Sequence, residues 1–192
     1  MSHKIIAFVS SILLVLIYIV RVTGVNNDAI YPVYQTYNLN DEVSIETDFF
    51  NNSNERMNGY TVMVSETELL SVSDFKKQYN INNEDILANA EYILLINVHF
   101  KNNSNKLAEN AGIDLAQYNL QESSYINFVE RDVYPIVNKH DSLAFSLELN
   151  SEAEIVLPFS LNTSQVNINR FINGNPRLVV SLYPHKKAIN LI

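Results

Sequence analysis

An uncharged apolar run near the N-terminus constrains this chain more than any other feature. Residues 5–20 read IIAFVSSILLVLIYIV, with Lys4 before them and Arg21 after them. A helix satisfies its own backbone hydrogen bonds, so such a run can cross a bilayer. At 1.5 Å per residue, about 16 residues span roughly 24 Å, and the residues up to Val25 extend the span towards the ~30 Å hydrocarbon core. We therefore predict a transmembrane helix over residues 5–25.

Two alternatives to a membrane anchor stay open for this segment. A cleaved signal peptide has the same basic start and apolar core, and Val22-Thr23-Gly24 offers residues that a peptidase accepts. Against cleavage, the apolar run is long, Arg21 lies before the candidate site, and no A-x-A sequence follows. The other alternative is a buried helix of a soluble protein. We expect an uncleaved signal anchor, because its features match the run best.

The anchor defines the expected organisation of the whole chain. Residues 1–4 form a short cytoplasmic N-terminus, residues 26–36 a linker, and residues 37–192 one extracytoplasmic domain. The expected location is therefore the cell membrane, in a single-pass arrangement, or the exterior if the leader is cleaved. The basic residues on the two sides of the helix nearly balance, so they set its orientation in the membrane only weakly. The short N-terminus and the folded domain after the helix favour export of the C-terminal side.

The charge and the cysteine content narrow the class of protein. The chain carries 13 basic and 21 acidic residues, a formal net charge of −8, and no cysteine. An acidic domain does not attract nucleic acid or anionic lipid by charge. An exported eukaryotic domain of this size is often cross-linked by disulfides, so their absence favours a Gram-positive bacterium. Without cysteine, a lipoprotein anchor is excluded.

Strand signals dominate the rest of the sequence. Apolar and β-branched runs are separated by Asn-rich turns, and asparagine tolerates the left-handed backbone that turns need. The predicted strands cover residues 43–46, 60–64, 92–100, 124–129, 143–149, 155–159 and 177–183. This pattern predicts a β-sandwich.

The segment 143–149 carries the strictest alternation in the chain. Apolar side chains stand at every second position of it, namely Leu143, Phe145, Leu147 and Leu149. In a strand, residues two apart share a face. We therefore expect all four of these side chains to be buried and Ser146 and Glu148 to face outward.

Short helical signals interrupt the strands. Ser73 is the predicted N-cap of a helix through Tyr79, since Phe75 and Tyr79 share one helical face. Asn82 or Asn83 is expected to cap a turn over residues 85–88. A helix over residues 111–115 and a helical turn or loop over residues 165–171 are weaker expectations.

Three segments resemble a known group of domains. Residues 91–104, EYILLINVHFKNNS, are similar to the central strand of telokin-like, immunoprotective-type immunoglobulin-like domains of Gram-positive bacteria. Residues 143–149 and 154–161 resemble the paired strands that close those sandwiches. The resemblance covers about residues 41–183, and residues 59–79 are more like a small uncharacterised branch of membrane-anchored proteins. It implies a mainly β fold, an immunoglobulin-like antiparallel β-sandwich with one or two short helices, and brings no common catalytic residues.

No arrangement of residues points to catalysis. His140, Asp141 and Ser142 supply the residue types of a hydrolase triad, but successive strand residues face opposite ways. Glu66 and Glu68 share a strand face, and glycosidases use two carboxylates, but a solvated strand edge is the expected reading. We therefore expect no catalytic residues and no enzyme activity.

Metal and cofactor sites are equally unsupported. The four histidines, His3, His99, His140 and His185, show no zinc-ligand spacing. One loop concentrates oxygen ligands at Asp48, Asn51, Asn52, Asn54 and Glu55, which leaves calcium as an alternative to a polar turn. The mid-loop glycine of a calcium-binding loop is missing. We expect no metal and no cofactor.

A tyrosine triplet follows the membrane segment. Tyr31, Tyr34 and Tyr37 recur every third residue. Tyrosine combines an apolar ring with a polar tip, so these residues suit a membrane-interface belt or a peptide-binding strip. The alternative is that Tyr34 and Tyr37 pack on the first strand.

Together these observations predict a non-catalytic, membrane-anchored interaction module of a bacterial cell envelope. Its expected partners are the membrane, through residues 5–25, and an unidentified envelope protein or peptide, with no nucleic acid. An alternative is an accessory subunit of a membrane transporter or sensor, recognised through the helix, where Ser10-Ser11 offers a small polar spot for packing. An exported hydrolase is the third possibility.

Overall fold

The chain forms two compact units, Met1–Tyr31 and Pro32–Ile192. A computed structural model describes residues 2–27, 31–46, 48, 57–106, 112–123, 125–162 and 167–192. The first unit is dominated by one long helix and the second is mainly β.

The N-terminal unit contains helix α1, Ser2–Asn27. Its stretch Phe8–Asn27 is long and apolar enough to cross a membrane, and none of that stretch is buried against the rest of the protein. Apolar side chains are exposed on every side of the helix, which suits a lipid environment better than a water interface. A signal sequence shares this length and composition.

Among its described residues, the second unit contains two larger sheets and one short ladder. The five-stranded sheet consists of β1 Tyr34–Tyr37, β6 Asn119–Glu122, β7 Tyr125–Phe128, β10 Arg177–Ser181 and β11 Lys186–Asn190, in the order β1-β11-β10-β6-β7. The four-stranded sheet consists of β2 Val43–Ser44, β3 Tyr60–Ser71, β4 Tyr92–Asn102 and β9 Glu152–Leu161, in the order β2-β3-β4-β9. The ladder joins β5 Ile113–Asp114 to β8 Ala144–Phe145. All recorded pairings are antiparallel except that of β1 with β11.

Three short helices accompany the sheets. These are α2 Val72–Gln78, α3 Tyr134–Asn138 and α4 Ile168–Asn173, and a 3₁₀ turn covers Leu115–Gln117. Ser71, rather than the predicted Ser73, caps α2, because its side chain accepts a hydrogen bond from the Asp74 backbone N–H. Segment 113–117 forms β5 and the 3₁₀ turn rather than the predicted helix, and Ala111 lies outside the described residues.

The main core lies between the two larger sheets. The four-stranded sheet contributes buried residues such as Val62, Val98 and Leu157, and the five-stranded sheet contributes Leu178 and Ile189. A second cluster, built from Phe75, Ile93, Leu95 and Val133, covers the other face of β4. Residues 93–96 of β4 are buried on both faces, so this half of the strand is a continuous apolar run. From residue 97 onward, buried Val98 and Phe100 alternate with polar residues.

The segment 143–149 corrects one expectation. Only Ala144 and Phe145 form a strand, and they pair with the two residues of β5. Leu143, Phe145 and Leu147 are half-buried at the border of the core, while Leu149 is 43% exposed. The prediction of four buried side chains was therefore wrong, although Ser146 and Glu148 do face solvent. Alternation identifies the inner face of a segment, but burial depth depends on the neighbouring strands, and here the ladder is only two residues long.

Candidate interaction surface

The outward face of the five-stranded sheet, called here the outer face, carries the most distinctive surface of the domain. The strand register aligns one row of outward residues across all five strands: Thr36, Ala188, Val179, Asn119 and Phe128. A neighbouring row consists of Asn190, Arg177, Gln121 and Ile126. The outer face therefore runs from β1 at one edge to an apolar pair on β7 at the other.

Edge strand β7 exposes two large apolar side chains. Ile126 is 56% exposed and Phe128 is 64% exposed, and both point away from the core. The alternate residue Tyr125 packs against the core, where burial raises the pKa of its phenol. Among the described strands, β7 pairs only with β6, so its other side is an open sheet edge. Native proteins usually protect such edges with charge, so an apolar open edge indicates a contact surface.

The outer edge of β9, in the four-stranded sheet, is closed. The side-chain amide of Asn138 donates to the Val156 carbonyl and its oxygen accepts from the Val156 N–H, both at 2.8 Å. The carbonyl of Pro158, which has no N–H, accepts from the Glu130 N–H at 2.8 Å. The Asn127 side chain donates to the Ser160 carbonyl at 2.7 Å. Four backbone groups of this edge, between Val156 and Ser160, are thus occupied.

Two cationic side chains lie on the outer face, Arg177 on β10 and Lys186 on β11. Arg177 Nη1 donates to the Tyr34 hydroxyl at 2.6 Å, and Lys186 Nζ donates to Gln121 Oε1 at 2.6 Å. The Arg177 guanidinium carbon lies 6.0 Å from the centre of the Tyr34 ring, and Lys186 Nζ lies 5.3 Å from it. Both cations are thus held by the same aromatic ring.

The register explains how these side chains cover the sheet. Lys186 is paired with Tyr34 on one side of the row that contains Ala188 and Val179. Arg177 is paired with Gln121 on the other side of that row. The bonds from Lys186 to Gln121 and from Arg177 to Tyr34 therefore cross that row. Val179 and Ala188 in the row are 1% and 0% exposed although they lie outside the core clusters. Long cationic side chains can bury apolar surface in this way.

A cleft of about 240 Å³ opens beside these cations. Its lining comprises Gln121, Glu122, Ser123, Gly174, Asn175, Arg177 and Lys186. Within the described part of the chain, neither Arg177 nor Lys186 forms an ion pair, and the buried Nε of Arg177 has no hydrogen-bond partner. The one carboxylate of the lining, Glu122, accepts a hydrogen bond from the Ser123 hydroxyl. The cleft therefore holds two positive charges and one negative charge in a chain of net charge −8.

The residues of the hypothetical triad have separate contacts. His140 Nε2 lies 3.4 Å from the Tyr134 hydroxyl, and the Ser142 hydroxyl donates to the Ala144 carbonyl at 2.6 Å. His99 Nε2 lies 3.6 Å from Glu152 Oε2, and His185 Nδ1 accepts from the Val33 N–H at 3.3 Å. Across the residues that the structure describes, no group of three or more His, Cys, Asp or Glu side chains is placed to hold a metal ion.

The acidic residues considered as candidates lie on β3 and in the loop that begins at Asp48. Glu66 and Glu68 are exposed on β3. Asp48 is buried, and its Oδ2 lies 2.8 Å from Lys187 Nζ, so it forms a structural ion pair. The remaining oxygen ligands of that loop, Asn51, Asn52, Asn54 and Glu55, lie outside the described residues.

The tyrosine triplet divides between two roles. Tyr34 is 51% exposed and holds the cations, whereas Tyr37 packs against the core and Tyr31 belongs to the N-terminal unit. Sequence reasoning singled out Tyr34 but missed Arg177 and Lys186. The sequence indicated these residues only weakly. Each begins one strand of the last hairpin in an acidic chain, and only the sheet register brings them together.

Comparison with known proteins gives a family and several solved structures, of which two are described here. A family model described as "Domain of unknown function (DUF5028)" matches residues 34–187. A functionally unknown protein from Listeria monocytogenes EGD-e is 18% identical, with a TM-score of 0.42 over 73% of this chain and 72% of the other. A conserved hypothetical protein from Bacillus anthracis is 13% identical, with a TM-score of 0.40 over 78% of this chain and 96% of the other. No curated protein matches the sequence.

Proposed function

The chain belongs to the DUF5028 family of domains of unknown function, and we propose that it is a non-catalytic binding module, held at a bacterial cell membrane by α1 with its β domain outside the cytoplasm. The length and apolar surface of α1 support the anchor. Two mostly antiparallel sheets around one core support an immunoglobulin-like sandwich. The absence of cysteine supports a Gram-positive source.

The observation that carries the binding role is the open apolar edge of β7. Ile126 and Phe128 are more than half exposed on a strand whose outer side is unpaired among the described strands. Covering one such side chain fully stabilises a complex by about 1.5–3 kcal/mol, before the costs of association. An extended partner segment would add main-chain hydrogen bonds along the same edge. The closed β9 edge makes β7 the favoured site for strand addition.

Site-specific photo-crosslinking in the native cell tests this binding role. A photoreactive amino acid at Phe128 is expected to give a discrete adduct with one partner. The same amino acid at Glu68, which is exposed on β3, serves as the matched control. No adduct at position 128, or equal adducts at both positions, in protein that reaches the membrane would refute the role of the β7 edge.

Cysteine labelling tests the topology independently, since the chain has no native cysteine. In the variant Asn82→Cys, an exposed position of the domain becomes the sole thiol. We expect a membrane-impermeant maleimide to label intact cells and the labelled chain to sediment with membranes. Labelling only after lysis would contradict an extracytoplasmic domain, and labelled chain in the medium would indicate a cleaved leader.

An accessory subunit of a membrane complex is the second candidate. Ser10 and Ser11 interrupt the apolar run of α1, and small polar residues favour close helix packing in lipid. Replacing α1 by an unrelated transmembrane helix separates the two candidates. A binding module keeps its adduct at position 128, whereas an accessory subunit loses its association with the complex.

A further inference from the structure

We propose that the cleft lined by Arg177 and Lys186 is a binding site for an oxyanion, meaning a carboxylate or a phosphate group. The inference deepens the proposed binding function, on which it rests for the identity of the partner, because it names the group through which a partner at β7 is recognised. Gln121 lines the cleft and is directly paired with Ile126 of β7. One partner segment can therefore reach both the apolar edge and the cleft.

Charge is the first argument. The chain has a net charge of −8, yet neither Arg177 nor Lys186 forms an ion pair with any described residue. With Glu122 included, the lining carries one excess positive charge. A cleft whose lining has an excess of one charge, between walls of low dielectric constant, concentrates ions of the opposite charge. The local field here therefore opposes the overall charge of the protein and favours an anion.

The hydrogen-bonding groups are the second argument. A guanidinium has five N–H donors and an ammonium three, and neither has an acceptor. One donor of Arg177 is used by Tyr34, and Lys186 donates to Gln121. The buried Nε of Arg177 has no partner among the described residues, which is costly for a charged group. An oxyanion in the cleft supplies acceptors for the remaining donors of the Arg177 and Lys186 head groups, and hydrogen bonds between such charged groups are strong.

Pre-organisation is the third argument. Gln121 Nε2 donates to Asn119 Oδ1 at 2.8 Å, and Asn119 Nδ2 donates to the Gln117 carbonyl at 3.2 Å. This chain of bonds fixes which end of the Gln121 amide faces Lys186. The Tyr34 ring holds both cations from the other side. Because these residues stand on paired strands, an anion binds without the cost of ordering the site.

Nuclear magnetic resonance of the full chain in detergent micelles tests the site directly. The probes are sodium phosphate and sodium glutarate, each compared with sodium chloride at pH 6 and matched ionic strength. The readout is the Nε–Hε signal of Arg177, which is assigned by its loss in Arg177→Lys. We expect a saturable shift of this signal with at least one probe. Saturation by phosphate alone, by glutarate alone or by both identifies the source of the oxyanion, and each of these results supports the site.

Matched variants separate the site from a general charge effect. Lys186→Gln is expected to weaken binding roughly tenfold, since it removes one of two charged donors. Lys77→Gln, which removes an exposed cation on α2, is expected to leave binding unchanged. A linear drift equal to that in chloride overturns the proposal, as does equal weakening in both variants. If a variant fails to fold, the titration of the wild-type protein by itself decides whether the cleft binds an oxyanion. Retained oxyanion binding without an adduct at position 128 would refute only the proposed binding role of β7.

Discussion

A buried ion pair connects the two sheets and allows a quantitative test of how they are held together. Lys187 of β11 places its Nζ 2.8 Å from Asp48 Oδ2 and 2.7 Å from the Ser44 carbonyl of β2. The side chains of Lys187 and Asp48 are only 4% and 3% exposed. Asp48 Oδ2 also accepts from the Glu46 N–H at 2.8 Å. One ammonium group therefore links the five-stranded sheet to the four-stranded sheet.

Lys187→Met removes this charge and keeps an unbranched side chain that is one atom shorter than lysine. It leaves the Asp48 carboxylate buried without its counter-charge, and breaking a buried pair in this way costs about 3–5 kcal/mol. For a domain of this size, the melting temperature should fall by about 2–4 °C per kcal/mol, or roughly 6–20 °C. The double variant Lys187→Met/Asp48→Leu removes both charges, so most of the lost stability should return.

Urea unfolding of the full chain in micelles measures these effects. Tyrosine fluorescence follows the domain, because the chain has 11 tyrosines and no tryptophan. Glu46→Gln is the matched control, since Glu46 lies 4.0 Å from Lys187 Nζ and is 74% exposed. It should change the free energy of unfolding by less than about 0.5 kcal/mol. A cost below about 1 kcal/mol for Lys187→Met, or a double variant no better than the single one, would refute the reasoning.

Three further predictions concern burial, pH and metal. Tyr118→Phe should stabilise the domain by about 1 kcal/mol in thermal melts, because the fully buried Tyr118 hydroxyl has no partner among the described residues; clear destabilisation would contradict this. Burial raises the pKa of Tyr134 to about 12, above 10 in the unfolded chain, so the free energy of unfolding should fall as pH rises from 10 towards 12, and less steeply in Tyr134→Phe. EDTA should leave the melting temperature unchanged, since Lys187 occupies Asp48; a fall that calcium reverses would indicate a metal in loop 48–55.

The sequence predicted well those elements whose signal is local. The run 92–100 identified β4, because the positions of this strand that are buried on both faces, 93–96, all carry apolar residues. Strands β6 and β11 were missed, since their outward positions carry polar residues such as Asn119 and Lys186. Three of the four residues of β1 lie in the stretch predicted as linker, 26–36, and all four pair with the far end of the chain.

The candidate site could not be predicted because it depends on register. Arg177 and Gln121 are 56 residues apart in sequence but directly paired between β10 and β6. Lys187 departs from the usual expectation for lysine, which is a solvent-exposed side chain, because it is buried. Its partner Asp48 is distant in sequence, so only the packing of the two sheets shows that the charge is neutralised internally. The strands follow from residues that are neighbours in sequence, whereas the cleft of Arg177 and Lys186 follows from pairings between strands that are distant in sequence.

The occupied edge of β9 has a consequence for crowding. A domain tethered to a membrane meets its neighbours at a high effective concentration. Under the proposed anchoring, an open β9 would invite sheet-to-sheet joining between adjacent copies, and successive joining through both sheets would produce insoluble arrays. The bonds from Asn138 to Val156 remove that route. A protein anchored in the proposed way can then be abundant in its membrane while the β7 edge remains available to a partner.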